Sequence, residues 1–373
     1  MDMDKHIYSY ALGREATGVM RVIANKGGIG VRFSVGNYKI AVISTHLNAH
    51  AGEERKLLRH NDTREILKGL MSLSDFGCDA LGAFHHVFWI GDLNYRLNLE
   101  QVQSLESVPE SHDDRFKLVT SWIESREWDK INEADELRPD RSAGRVLTGF
   151  QEGAMLFPPT YKVERASELQ YRDQRIPAYC DRILWRSMPG LDTAVTQTSL
   201  EPLLTVPTSD HKPLRATFSI RVKHMIERPP TLGRRLVLVF DELAGHALAD
   251  QDVTGKSDVY ITFQSADGIL KYNGSNAKST RVQHSTLDPT WAAKEIPTLA
   301  LRPHEQQLEL IRACHITMVV RDWDRASRHD YMGSAQVPLT DVDVGAATPF
   351  EAEVTRFGVR QGTLTGAFRL ALA

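Results

Sequence analysis

The chain has 373 residues, 45 lysines and arginines against 48 aspartates and glutamates, 42% hydrophobic residues and three cysteines. That length fills two or three globular cores, and a net charge of −3 leaves no field for generic coating of nucleic acid. Cys78, Cys180 and Cys314 make neither a disulfide framework nor a zinc spacing, no apolar run is long enough for a membrane span, and MDMDKHIY is no signal peptide, so the chain reads as soluble and cytoplasmic. Val31 to Thr45 alternates around Gly36-Asn37, which predicts a hairpin leading into a buried strand. Glu53 to Leu73 repeats Leu57, Leu58, Ile66, Leu67 and Leu70 at helical spacing. Val87 to Ile90 is a fully apolar run halted by Gly91, the pattern of a central strand, and Arg182–Trp185 and Leu214–Ile220 predict two more. Strands interleaved with helices define an α/β layered unit.

Val222 to Arg235 is rich in proline, glycine and charge and reads as a linker. Beyond it, LVLVFDEL, DVYITFQ, HITMVVRD, GSAQVPL and LTGAFRLAL give short strands punctuated by turns, an antiparallel β-sandwich. The expected division is residues 1–222, a linker at 223–233, and residues 234–373.

Several polar motifs of the first unit fall at expected strand ends. Asp92 and Asn94 follow the apolar strand in Gly91-Asp92-Leu93-Asn94-Tyr95-Arg96, an acceptor and a donor able to hold a water or a phosphate oxygen. Asp210-His211 adds a second carboxylate and an imidazole, which Asp181 is placed to orient. His46 closes Ser44-Thr45-His46-Leu47. Each motif alone reads as a cap or a satisfied core histidine. Together, at strand ends that converge in a layered α/β unit, they read as one site.

The segments Ala24–Phe33, Ser44–His50, Trp89–Leu97, Phe157–Val163, Arg175–Trp185 and Ser209–Leu214 stand in an order that resembles the inositol polyphosphate 5-phosphatases, with the endonuclease/exonuclease/phosphatase fold, a layered β-sandwich with flanking helices. The resemblance implies that Asp92 and Asn94 position the attacking water and the phosphate. It implies that His211, oriented by Asp181, stabilises the developing charge, that Asp210 works on the metal or nucleophile side, and that His46 contacts the scissile phosphate. It further implies Mg²⁺ as Lewis acid, and Lys26, Lys162, Arg172 and Arg175 as cations for the substrate's phosphates. Three departures stand out: the family's strands bearing its magnesium-ligating asparagine and glutamate would precede Met1, Asp173 occupies an expected basic position beside Arg172, and Tyr179 replaces a tryptophan.

In the second half, Asp252 and Asp258 flank a glycine turn, and Asp322, Asp324 and Asp330 share another loop. Five aspartates in two loops at one end of a sandwich repel one another unless a hard dication sits among them, and Ca²⁺ suits that set. DVTGKSDVY, STRVQHSTLDPTW and RDWDRASRHDYMGSAQVPL resemble a type I C2 domain, an all-β sandwich, with all five calcium aspartates in place and Val259 at a position usually held by proline. That resemblance implies docking on an anionic membrane surface.

The leading expectation is a magnesium-dependent enzyme removing the 5-phosphate of phosphatidylinositol 4,5-bisphosphate or 3,4,5-trisphosphate, or of soluble inositol polyphosphates, held peripherally at membranes by calcium. The alternative is a non-catalytic, calcium-dependent adaptor that binds phosphoinositide headgroups. A nuclease of the same superfold ranks last, since no basic stripe is present.

Overall fold

A computed structural model describes residues 7–17, 25–222, 233–249, 257–324 and 329–373. Gly36, at φ 56°, and Asn37 form the two-residue loop of a hairpin between β2 (Lys26–Val35) and β3 (Tyr38–His46), as the alternating pattern predicts. β1 (Ile7–Thr17) joins β2 on its outer edge. On the other side β3 runs parallel to β4 (His86–Asp92), the apolar run of the sequence. Their connection is the crossover helix α1 (Glu53–Gly69), followed by the short α2 (Ala80–Ala83). Two further strands, β5 (Gln151–Glu152) and β6 (Asp181–Ser187), complete a six-stranded sheet in the order β1-β2-β3-β4-β6-β5.

The predicted strand at Leu214–Ile220 forms, but not in this sheet. It is β8, and it pairs with β7 (Val195–Pro202) in a separate two-stranded layer. Phe218 of β8 packs on Phe88 and Trp185 at 5.0 and 5.3 Å, so this layer covers β4 and β6. The three helices α3 (His112–Glu124), α4 (Trp128–Glu133) and α5 (Leu137–Ser142) fill the long segment between β4 and β5. On β1, Tyr10 and Leu12 are 79% and 72% exposed, while Gly13 packs toward Leu70 and Leu73 on the other face.

The helix α1 buries a stripe that the apolar spacing does not describe. Leu57 is 56% exposed, whereas Arg59, His60, Asp62 and Thr63 are buried beside Ile66 and Leu67. Those polar groups are partnered: Arg59 pairs with Glu136 at 2.7 Å, His60 lies 3.1 Å from Asp140, and Asp62 accepts the Asn48 backbone N–H at 2.8 Å. The helix thus braces the loop that follows His46.

The second unit is a sandwich of β9 (Arg235–His246), β10 (Val259–Gln264), β11 (Thr290–Ala292), β12 (Leu299–His304), β13 (His315–Asp322), β14 (Asp330–Pro338), β15 (Thr348–Arg356) and β16 (Val359–Leu372), with α6 (Leu308–Arg312) beside it. β10-β13-β14 and β15-β16-β9 form its two halves, joined at the Ser334–Thr355 pair. Phe240 of β9 meets Phe263 of β10 at 5.0 Å across the interior.

The two units share buried surface. Ala266, Val319, Tyr331 and Phe357 of the second enter the apolar core of the first. Asp79 caps α2 through the Leu81 N–H and also accepts the Phe357 N–H at 2.6 Å. Thr317 Oγ1 donates to the Gly82 carbonyl, and Arg186 donates to Gln336. His85 accepts the Lys39 N–H on Nδ1, so its Nε2–H is left to donate to Asp267, at 2.9 Å. Asp267 also accepts the His315 N–H, and these bonds, with the two histidines, outweigh burial and hold its carboxyl far below the usual range. All these contacts gather at the start of β4 and the end of β6, opposite the end that carries Asp92 and Asp181.

Candidate active site

Register places the site. His46 pairs with Asp92 across β3 and β4, and Asp92 pairs with Asp181 across β4 and β6, so three functional side chains form one row over three adjacent strands. Gly91 makes that row possible. It sits at φ 124° and a Cβ there would meet the Thr45 carbonyl oxygen at 2.1 Å, so only glycine allows β4 to approach β3 this closely.

Both carboxylate oxygens of Asp92 have donors. Oδ1 accepts the Asn94 backbone N–H at 3.0 Å; Oδ2 accepts Asn94 Nδ2 at 3.0 Å and lies 3.1 Å from His46 Nε2. Asn94 occupies the left-handed region at φ 57°, which turns its amide back onto the strand end. Burial pushes the Asp92 carboxyl up, but the His46 bond and the charges of His211, His46 and Lys26 prevail and hold it low. Lys26 Nζ touches His46 Nε2, and burial draws the lysine below its usual range against the pull of Asp92 and Asp62.

His211 arrives from the loop before β8 and not from a strand end. Its Nδ1–H donates to Asp181 Oδ2 at 2.9 Å, which turns Nε2 toward Asp92 Oδ2, 4.0 Å away. Thr160 Oγ1 donates to the same Asp181 oxygen at 2.6 Å, and the Tyr161 ring packs on the imidazole at 4.5 Å. Burial lowers the His211 pKa, but the hydrogen bond and charge of Asp181, with Asp92 and Asp210, raise it overall. The raised native value means this contribution to stability is complete below the unfolded histidine value of about 6.5 and is lost as pH rises through the native one. In Asp181→Asn, an NMR titration of the His211 ring is expected to show its pKa fall. An unmoved titration would remove Asp181 from this role.

The expected residues divide. His46, Asp92, Asn94, Asp181 and His211 meet, with Lys26 beside them. Asp210 follows the loop but turns its carboxylate to Lys162, 3.9 Å away, and stands outside the compact Asp92–Asp181–His211 group. Arg172 pairs with Glu164 at 3.3 Å, and Arg175 is exposed. Burial, then the positive charges of Arg175, Arg55, Arg96 and Lys26, depress the His50 pKa. Lys26 and His46 also line a cleft of about 640 Å³. Thr160, Tyr161 and Arg96 carry no sequence expectation; their signal was only their place inside the quoted motifs.

Asp92, Asp181 and His211 each offer one ligand atom, all within 4.8 Å of one another, so these described residues could hold a metal ion. Mg²⁺ takes oxygen ligands in an octahedron. That group brings two carboxylate oxygens and one imidazole nitrogen, fewer oxygens than Mg²⁺ takes in all, and Asp92 also accepts two bonds from Asn94. Of the five calcium candidates, Asp252 lies outside the described residues. Asp258 holds His284 and the Ser285 N–H, and its own N–H donates to Asp322 Oδ1. Among the described residues, Asp322, Asp324 and Asp330 complete no compact ligand group with it.

His46, Asp92 and Asp181 thus form a row at one end of the sheet, closed by His211 and Asn94. The chain belongs to the Endonuclease/Exonuclease/phosphatase family 2, whose model matches residues 2–217, and a C2 domain matches residues 237–353. It is 28% identical over 370 residues to phosphatidylinositol 3,4,5-trisphosphate 5-phosphatase 2B of Danio rerio, covering 95% of this chain and 28% of that one. Phosphatidylinositol 3,4,5-trisphosphate 5-phosphatase 2 of Homo sapiens is 26% identical over 368 residues, covering 95% and 27%. The chain therefore spans little more than a quarter of the length of these relatives. The inositol polyphosphate 5-phosphatase domain of SPsynaptojanin, solved with inositol (1,4)-bisphosphate and calcium ion, is 25% identical, covers 58% of this chain and 57% of its own, and has a TM-score of 0.44.

Proposed function

We propose that residues 1–222 form a phosphatase unit acting on the 5-phosphate of phosphoinositides or inositol polyphosphates, and that residues 234–373 form a C2 unit that takes it to an anionic membrane through calcium held by Asp252, Asp258, Asp322, Asp324 and Asp330. The observation that carries this reading is the His46–Asp92–Asp181 row closed by His211 and Asn94. In it, Asp92, held in place by Asn94, accepts the proton of a water whose oxygen bonds to phosphorus as the bond to the inositol oxygen breaks, and the departing inositol oxygen takes a proton from solvent. His211, whose cationic form Asp181 favours, meets the charge that develops on the phosphoryl group. Lys26, in contact with His46 beside Asp92, favours a phosphate-bearing substrate, and the relatives' names specify phosphatidylinositol 3,4,5-trisphosphate as theirs.

The test is phosphate release, with Mg²⁺ in the buffer, from vesicles containing the trisphosphate lipid and from soluble inositol 1,4,5-trisphosphate. Release from either above the buffer rate is expected; none from both would overturn the enzymatic reading. The Asp92–Asp181–His211 group supplies only two carboxylate oxygens, fewer than Mg²⁺ takes, and this favours a second reading, a headgroup-binding adaptor. Calcium-dependent pelleting with such vesicles but without turnover would select it. Pelleting unchanged by a chelator would instead remove the calcium role.

A further inference from the structure

Arg96 ends the Gly91-Asp92-Leu93-Asn94-Tyr95-Arg96 segment and is 6% exposed, an unusual place for a guanidinium. Its Nη2 donates to Asn94 Oδ1 at 2.5 Å and its Nε to the Asn94 backbone carbonyl at 3.1 Å. A primary amide has an oxygen end and a nitrogen end of nearly the same shape, and only its partners decide which way it faces. Arginine only donates, so it can accept no hydrogen from the amide and must take the oxygen end. The nitrogen end is thereby directed to Asp92 Oδ2 at 3.0 Å and the Leu47 carbonyl at 3.1 Å.

The other face of the same guanidinium lies over the Tyr161 ring, 4.5 Å from its centroid. That ring is the one stacked on His211 at 4.5 Å, and Tyr161 also bridges to the His211 backbone. Arg96 is itself anchored, since its N–H donates to Glu136, which Arg59 of α1 pairs with in turn. One buried cation therefore touches the amide beside Asp92 and the ring behind His211.

We propose that Arg96 is a positioning residue of this site: it fixes which end of the Asn94 amide faces Asp92 and, through Tyr161, the plane of the His211 imidazole. Its kinetic consequence rests on the phosphatase reading above; its geometric content does not. Arg96→Met keeps the apolar stem and removes the planar fork, and Arg96→Lys keeps the charge without the fork.

The test uses the whole chain. On soluble inositol 1,4,5-trisphosphate, Arg96→Met is expected to lower kcat about 100-fold with KM changed less than about threefold, and Arg96→Lys to recover little of it. In an Asn94→Ala background the same Arg96→Met change is expected to cost less than about fivefold, because most of what it controlled is gone. A full second 100-fold loss would overturn the proposal. Independently of turnover, the Asn94 side-chain amide and the His211 ring nitrogens are followed by ¹⁵N NMR in Arg96→Met and in Tyr161→Leu. Arg96→Met is expected to shift both sets of signals, and Tyr161→Leu only those of His211. Unmoved signals in a folded Arg96→Met chain would overturn the proposal even if the parent releases phosphate. A parent that releases none would defeat the phosphatase reading and leave this arm to decide. Should Arg96→Met fail to fold, Arg96→Lys with the same spectra takes its place.

Discussion

Replacement of Asp92 by asparagine is expected to reduce kcat on the trisphosphate lipid by at least about 10³-fold, with little change in KM. The substitution is nearly isosteric, so the strand end and the Asn94 turn keep their shape. What is lost is the one carboxylate that faces His46, Asn94 and His211 together. Two effects act in the same direction. The proton acceptor is gone, and the charge that favours the cationic form of His211 is diminished. The measurement is phosphate release under saturating lipid, with a thermal melt to show that folding is unchanged. Full activity in the variant would remove Asp92 from the chemistry and with it the proposed reaction.

The largest effect on stability is expected at Arg182, away from the reacting groups. Its side chain is fully buried, between Asp135 at 2.7 Å and Glu152 at 2.6 Å, and Arg141 adds a second cation to Glu152 at 3.1 Å. Burial alone would lower the arginine's pKa, but the two carboxylates raise it far beyond that cost, so the group stays charged. Arg182→Leu would leave two carboxylates, 1% and 4% exposed, with part of their compensation removed. Breaking such a pair costs about 3–5 kcal/mol. A guanidinium titration is expected to show that loss, whereas Arg215→Ala, at the exposed pair with Glu201, should stay within about 0.5 kcal/mol. A loss under about 1 kcal/mol for Arg182→Leu would mean that water or rearrangement satisfies both acids.

Much of the fold is legible in the sequence where burial imposes a simple period. The Gly36-Asn37 hairpin, the apolar β4 and the sandwich strands β9, β10, β13, β14 and β16 follow that rule. β7, β12 and β15 do not announce themselves, since a proline and at least one charged residue interrupt the apolar pattern of each and their pairing is set by distant partners. The helix α1 forms at the expected place, but its spacing misassigns the buried face, because Arg59, His60 and Asp62 are buried through specific partners rather than by hydrophobicity. In the site, strand-end position identifies His46, Asp92 and Asp181. It misplaces His211, which reaches the row from a loop held by Thr160 and Tyr161. Arg182 shows the same limit: a charge inside an apolar strand is visible in Arg182-Ile183-Leu184-Trp185, but its two acids are 47 and 30 residues away.

The strand β4 has His86 beside the seam between the two units at its first residue and Asp92 in the reacting row at its last. Seven residues of strand span about 20 Å. With Asp79, Thr317, Arg186 and the His85–Asp267–His315 contacts fastening that seam, a surface that seizes the second unit also sets the heading of the first. Under the proposed docking, capture would do more than raise the local number of encounters: it would remove the rotational search, and altering the seam would change aim before it changed grip.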